Sequence, residues 1–212
     1  MQPGALYGAG AGPAAPSLMA RHPAQRPDWE LEVPRIGNAS RDSVGPDHQG
    51  LFDRLEALRG KPVENVFLAV ANAPALCDGV LAMAMSLRQS TLLDRQLREL
   101  AVLTVGLETR ADYEVAHHWN SAVKAGLPRA KLQQLAEFET DDQFTTSERA
   151  VMRFARDVTR TGRVDDGLWA ELCGFLDEQE RLELVLTTAW YNCVVRILLP
   201  LNIELEDWFS RL

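Results

Sequence analysis

From residue 49 onward, the apolar positions of this 212-residue chain recur at intervals of three and four. In LFDRLEALRG, Leu51, Leu55 and Leu58 share one helical face, and Gly60 with Pro62 ends the run. VENVFLAVAN gathers Val63, Val66, Phe67 and Val70, and Pro74 suits the first turn of the next helix. That helix carries the stripe Leu76, Val80, Met83 and Leu87. Two more helices are predicted over about residues 94–107 and 112–125, with Gly126 where a left-handed cap is wanted. Pro128 opens a short helix, and Thr145 with Glu148 has capping-box spacing ahead of another. The inner face of that one is Val151, Phe154, Ala155 and Val158, and Gly162 ends it. Leu168, Trp169 and Leu172 mark the next, and a long final helix runs from about 178 to 199, where Pro200 stops it. No segment alternates with period two, so no strand is expected. The pattern predicts an all-α single domain of about eight helices.

LDRQLRELAVLT at 93–104 resembles LDEQERLELVLTT at 176–188, with a one-residue slip near the Glu. Two copies are read equally well as a duplicated helical unit or as chance. Residues 1–45 are rich in Pro, Gly and Ala and are expected to form an extension, leaving 46–212 as the helical domain. A hydrophobic content of 46% with 25% charged residues suits a soluble domain with a sizeable core. The net charge of −8 argues against nucleic acid, because phosphate binding needs an excess of Lys and Arg. No run reaches the length of a membrane span, and the start lacks the basic region of a signal peptide. Cys77, Cys173 and Cys193 each sit in an apolar run and are expected to be small buried hydrophobes in a reducing, cytoplasmic setting. No CxxC is present.

The candidate chemistry is concentrated in ADYEVAHHW, residues 111–119, which holds two of the chain's four His. The short ETRA connection before it predicts an antiparallel helical pair. Glu99 lies ten residues before Thr109 and His118 nine after it, so at about 1.5 Å per residue both stand at nearly the same level. Glu114 and His118 are four apart and share a face. A carboxylate at Glu99, among Leu97, Leu100, Ala101 and Leu103, is costly to bury unless paired or protonated. Two readings follow: a proton-transfer pair with an imidazole, or an ordinary surface pair with Arg95. EVAH, Glu114 with His117, also supplies one Glu-x-x-His, half of a di-iron signature; the second half is missing, as is HExxH. His22 and His48 lie in the N-terminal region and make poor ligands. A metal held by Glu99, Glu114 and His118 is the less favoured reading.

Residues 93–127 resemble the carboxymuconolactone decarboxylase and alkylhydroperoxidase D superfamily. The resemblance is carried by Arg98-Glu99-Leu100, a short turn, Tyr113-Glu114 with His118, then Ala122 and Gly126-Leu127. It extends over about residues 50–208, through NAPAL, SERAVMRFARDV and YNCVVRILLPLNIELE. In the peroxidase branch a Cys pair reduces hydroperoxides. Here Ala111 and Glu114 stand in those places, so a hydroperoxide reductase would lack both its nucleophile and its resolving group. The branch without the Cys pair includes decarboxylases, and Val115 stands where that branch has Trp.

The resemblance implies a cofactor-free lyase or isomerase acting on a small organic acid or lactone of aromatic catabolism. His118 would be the general acid/base and Glu99 its partner, with Glu114 and Tyr113 shaping or polarising the pocket. Arg95, Arg98, His117 or Arg196 would hold an anionic substrate. No metal or organic cofactor is needed where the substrate supplies its own electron sink. The resemblance also implies homo-oligomers, trimers or hexamers, with neither nucleic acid nor membrane as partner. The alternatives are a non-catalytic binding member of the same fold, or redox activity through the three Cys.

Overall fold

The computed structural model describes residues 33–212, so most of the predicted extension lies outside the described residues. Among those described, there are nine α-helices and no strand. They are α1 (Gln49–Arg59), α2 (Asn65–Val70), α3 (Pro74–Gln89), α4 (Arg95–Thr109), α5 (Asp112–Lys124), α6 (Arg129–Leu132), α7 (Thr146–Thr161), α8 (Asp166–Cys173) and α9 (Glu178–Leu201). Short 3-10 turns stand at Pro46–His48 and Leu135–Glu137.

Helix α4 is the centre of the molecule, packed between α5, α7 and α9. Asp94 caps it by accepting from the backbone N–H of Gln96 and Leu97, and every residue from Arg98 to Gly106 is buried. On one side lie Leu100, Leu103, Trp119, Phe144 and Met152; on the other, Ala101, Val105, Phe154, Leu184 and Val195. A third cluster joins α1, α2 and α3 through Leu55, Phe67, Cys77 and Leu81. The α4–α5 hairpin turns through Arg110 in the left-handed conformation, φ 57°. Gly106 lets the two helices close together: a Cβ there would stand 2.9 Å from Val115 Cγ2. Val115 is buried in that contact.

The capping box of Thr145 and Glu148 forms as the spacing predicts, and Asp177 with Glu180 makes a second at the start of α9. Some faces differ from the periodicity. On α3, Leu76 is exposed and Cys77, Leu81 and Leu87 are buried, so the inward stripe is turned by one residue. Leu58 and Trp169 are also partly exposed, at 41% and 37%. Helix α9 passes Pro200 and ends at Leu201. Proline costs little this close to a helix end, and the terminal carbonyls of Pro200 and Leu201 accept from Arg35 Nη1 (3.1 Å) and Arg35 N–H (2.9 Å). Residues 33–45, grouped by composition with the extension, are thus tied to the helices; Ala39 N–H also bonds Leu68 O at 2.9 Å.

Of the three cysteines only Cys77 is buried; Cys173 and Cys193 are exposed, contrary to expectation. Cys193 lies on α9, whose Leu182, Leu186 and Leu199 are also exposed, and Cys173 is the last residue of α8. By length and composition α9 could cross a membrane, and 28% of its most apolar stretch is buried. It packs along one side on α3, α4, α7 and α8 and leaves the other side, with Leu182, Leu186 and Leu199, exposed.

Arg98 and Glu183 lock α4 to α9. Arg98 Nη1 donates to Leu87 O (2.9 Å), Ser90 O (2.9 Å) and Glu183 Oε1 (3.2 Å). Glu183 Oε2 accepts from Ser90 Oγ and from Leu93 N–H at 2.9 Å. Removing one member strands the other's charge in the interior. Glu183→Ala should therefore lower stability by about 3–5 kcal/mol in urea unfolding; a loss below about 1 kcal/mol, the range of a surface pair, would refute this role.

Candidate acid–base site

A cleft of about 1170 Å³ opens beside α4, walled by α3, α5, α9 and the C-terminal segment after α9. The hairpin brings Glu99 and His118 together across it: Glu99 Oε2 is 2.7 Å from His118 Nδ1. On the opposite ring edge, Glu114 Oε1 lies 3.0 Å from His118 Nε2. Glu99 is buried, so the surface pairing with Arg95 is not formed. Burial works against a charged imidazole, but the charge of Glu99 and hydrogen bonds to Glu114 and Glu99 outweigh it and hold His118 up at about 9. The ring is thus an imidazolium at neutral pH, donating toward a carboxylate on each side. One oxygen of each carboxylate is left over for the cleft.

A second cluster adjoins the first. Tyr113 Oη donates to Glu206 Oε1 at 2.5 Å, and Glu206 Oε2 lies 2.8 Å from His117 Nε2. Glu206 also accepts from Asn65 N–H at 2.7 Å. Burial pushes the Tyr113 hydroxyl well above its ordinary range, and the Glu206 charge adds to that. Burial raises Glu206 too, but His117, Tyr113 and the Asn65 N–H overcome it and keep the carboxyl below the usual range. Phe209 packs on the His117 ring at 4.8 Å, so the C-terminal segment is fastened over α5.

The four candidate substrate-binding residues separate. Arg95 lines the cleft, is exposed, and forms no ion pair among the described residues. Arg98 lines it as well, but one end of its guanidinium is committed to Glu183 and two carbonyls. His117 lines it while bonded to Glu206. Arg196 is not among the lining residues, and its Nη1 bonds Asn192 O (2.6 Å) and Asn192 Oδ1 (2.7 Å) within its own helix.

Periodicity and spacing did not single out Glu206, Tyr191, Arg88 or Lys124. Tyr191, on α9, sets its ring edge-to-face on His118 at 4.7 Å. Arg88 and Lys124 stand exposed in the cleft wall. Glu206 is 89 residues from His117, and no local pattern links them.

Residues 74–157 match the model of the carboxymuconolactone decarboxylase family. Among solved structures, the chain is similar to an uncharacterised peroxidase-related protein of Ralstonia eutropha JMP134, described as an alkylhydroperoxidase AhpD core. The TM-score is 0.73 at 19% identity, covering 84% of this chain and 95% of that one. A peroxidase-related protein of Silicibacter sp. TM1040 gives 0.71 at 15% identity, covering 84% and 97%. The debrominase Bmp8, solved with 2,3,4-tribromopyrrole bound to a variant, gives 0.69 at 19% identity, covering 81% and 91%. At these identities the likeness concerns the fold. No functionally curated protein matches the chain in sequence.

The raised pKa of His118 has a consequence for stability. Its folded value lies above the ordinary 6.5, so its contribution is complete below about pH 6.5 and is lost as pH rises through about 9. In urea unfolding, the native protein should lose more stability than His118→Asn over that window. Parallel pH profiles for the two proteins would contradict the charged state of the ring.

Proposed function

We propose that this chain, whose residues 74–157 match the carboxymuconolactone decarboxylase family and which lacks a CxxC pair, is a cofactor-free acid–base enzyme. Its reaction is decarboxylation or isomerisation of a small organic acid or lactone. The observation that carries this is the imidazole of His118, held between Glu99 and Glu114 at the wall of a large cleft. Such a cluster keeps a proton in a water-poor place and passes it through a carboxylate oxygen to a neighbouring carbon. In decarboxylation the C–CO₂ bond breaks, and its electron pair moves into the substrate's conjugated carbonyl. The carbon then takes the proton from the cluster, and solvent restores it.

Arg95, with Arg88 and Lys124 nearby in the wall, supports an anionic substrate. Ala111 and Glu114 in the places of a Cys pair weigh against dithiol reduction of hydroperoxides. Exposed Cys173 and Cys193 suit a reducing, cytoplasmic setting.

The chain also self-associates in this reading, as a trimer or hexamer. The exposed Leu182, Leu186 and Leu199 along α9 support this, since a helix this apolar and this uncovered needs a partner. By light scattering after gel filtration, the protein should run as a multiple of the 23.6 kDa chain and Leu186→Glu as the monomer. A monomeric native protein would refute it.

The activity is tested by following CO₂ release from a panel of muconolactone-type and related unsaturated acids. With an active substrate, Glu99→Gln and His118→Ala should each reduce kcat about 10²–10⁴-fold while circular dichroism stays helical. Undiminished turnover in both would remove the acid–base reading, and no turnover by the native protein across the panel would favour a binding role for the cleft.

A further inference from the structure

The catalytic cluster as built leaves a question of contact. Both nitrogens of His118 face carboxylates, at 2.7 and 3.0 Å, so the imidazole has no free nitrogen with which to touch a substrate. Arg98 is anchored to Glu183, Tyr113 donates to Glu206, and His117 is held by the same Glu206. Each of these side chains already spends its main polar contact on the protein.

Tyr191 is different. It lines the cleft, and its ring stands edge-on to His118 with centroids 4.7 Å apart. Its hydroxyl makes no hydrogen bond to any described residue. Nor is it one of the buried, unpartnered side-chain atoms among the described residues, which are the hydroxyls of Thr187 and Thr188. The Tyr191 hydroxyl is therefore accessible within the cleft, beside the two carboxylates. A phenol accessible in a cleft and without a protein partner is free to exchange its water for a ligand atom.

We propose that Tyr191 is a catalytic residue, whose hydroxyl donates a hydrogen bond to the substrate's carbonyl oxygen as that oxygen becomes an enolate. This rests on the acid–base reading above and adds the group that receives the developing charge. Burial first, and then the charges of Glu114 and Glu99, push the Tyr191 hydroxyl far above its ordinary range, so it stays a neutral donor. The division of labour balances. The electron pair from the broken C–CO₂ bond moves to the carbonyl oxygen, Tyr191 steadies it without giving up its proton, and the carboxylate–imidazole cluster protonates carbon. A donor aimed at the charge that forms, rather than at the ground-state carbonyl, lowers the barrier.

The test uses Tyr191→Phe, which keeps the ring and its contact with His118 and removes only the hydroxyl. The probe is 4-nitrophenolate, an oxyanion conjugated through a ring, whose absorbance reports binding and protonation state without any turnover. The native protein should bind it, and Tyr191→Phe should bind it at least about tenfold more weakly, in line with loss of one hydrogen bond to a charged group. The thermal midpoint should be unchanged, since the hydroxyl holds no protein partner. Where an active acid is in hand, kcat should fall about 10²–10³-fold. Equal binding by the two proteins, no binding by the native protein, or a lowered thermal midpoint in the variant would each overturn the role of Tyr191. The Glu99→Gln and His118→Ala kinetics stand apart from these readouts, so failure of the acid–base reading and failure of this one are distinguishable.

Discussion

Arg98 and Glu99 are neighbours on the most deeply buried helix of the molecule, and neither charge can be left alone there. Burial in a low-dielectric interior penalises each ion by several kcal/mol unless a partner restores what water supplied. At 3.6 residues per turn, adjacent side chains leave a helix about 100° apart, so one partner cannot serve both. Arg98 finds Glu183 on α9, and Glu99 finds His118 on α5. The two demands therefore set where α9 and α5 stand around α4. The first pair fixes the wall of the cleft and the second forms the candidate acid–base pair. Scaffold and site share a single turn of helix.

That arrangement also explains what could be read beforehand. Glu99 and His118 were legible because a short connection fixes the level of an antiparallel pair, and level was all the argument needed. Burial of Glu99 against His118 then removed the surface pairing with Arg95. Arg98 was legible as a charge but not as an anchor, since its partner sits 85 residues away on α9. Glu206 and Tyr191 stayed hidden for the same reason: helical period tells which face points inward, not which helix that face meets. The same limit turned the α3 stripe by one residue. Pro200 misled for a local reason, because proline's cost depends on how many turns follow it, and here the helix ends one residue later.

The doubly engaged His118 changes what an imidazole does in the proposed reaction. A histidine with one free nitrogen hands its proton directly to a substrate. Here the ring is a reservoir, and the remaining oxygens of Glu99 and Glu114 are the points of delivery. Replacing either Glu should therefore do more than misplace the ring, since it removes an exit for the proton. The neighbouring Tyr113–Glu206–His117 cluster is closed on itself by comparison, with Glu206 accepting from a phenol, an imidazole and a backbone N–H. Its place is to fasten the C-terminal segment against α5, where Phe209 and Trp208 complete the cleft wall.

Charge arithmetic then ties binding to catalysis in this reading. Two carboxylates and one imidazolium sum to −1, and an organic anion approaching them is repelled. Arg88, Arg95 and Lys124 offset this from the cleft wall, but from a distance and partly through solvent, where Coulomb terms are weak. The stronger remedy is local. If the cluster takes up one proton it becomes neutral, the repulsion is removed, and the proton acquired is the one the reaction delivers to carbon. Anion binding therefore draws into the site the reagent that decarboxylation consumes. The tight spacing of Glu99, His118 and Glu114 keeps any proton taken up within hydrogen-bond reach of the ring.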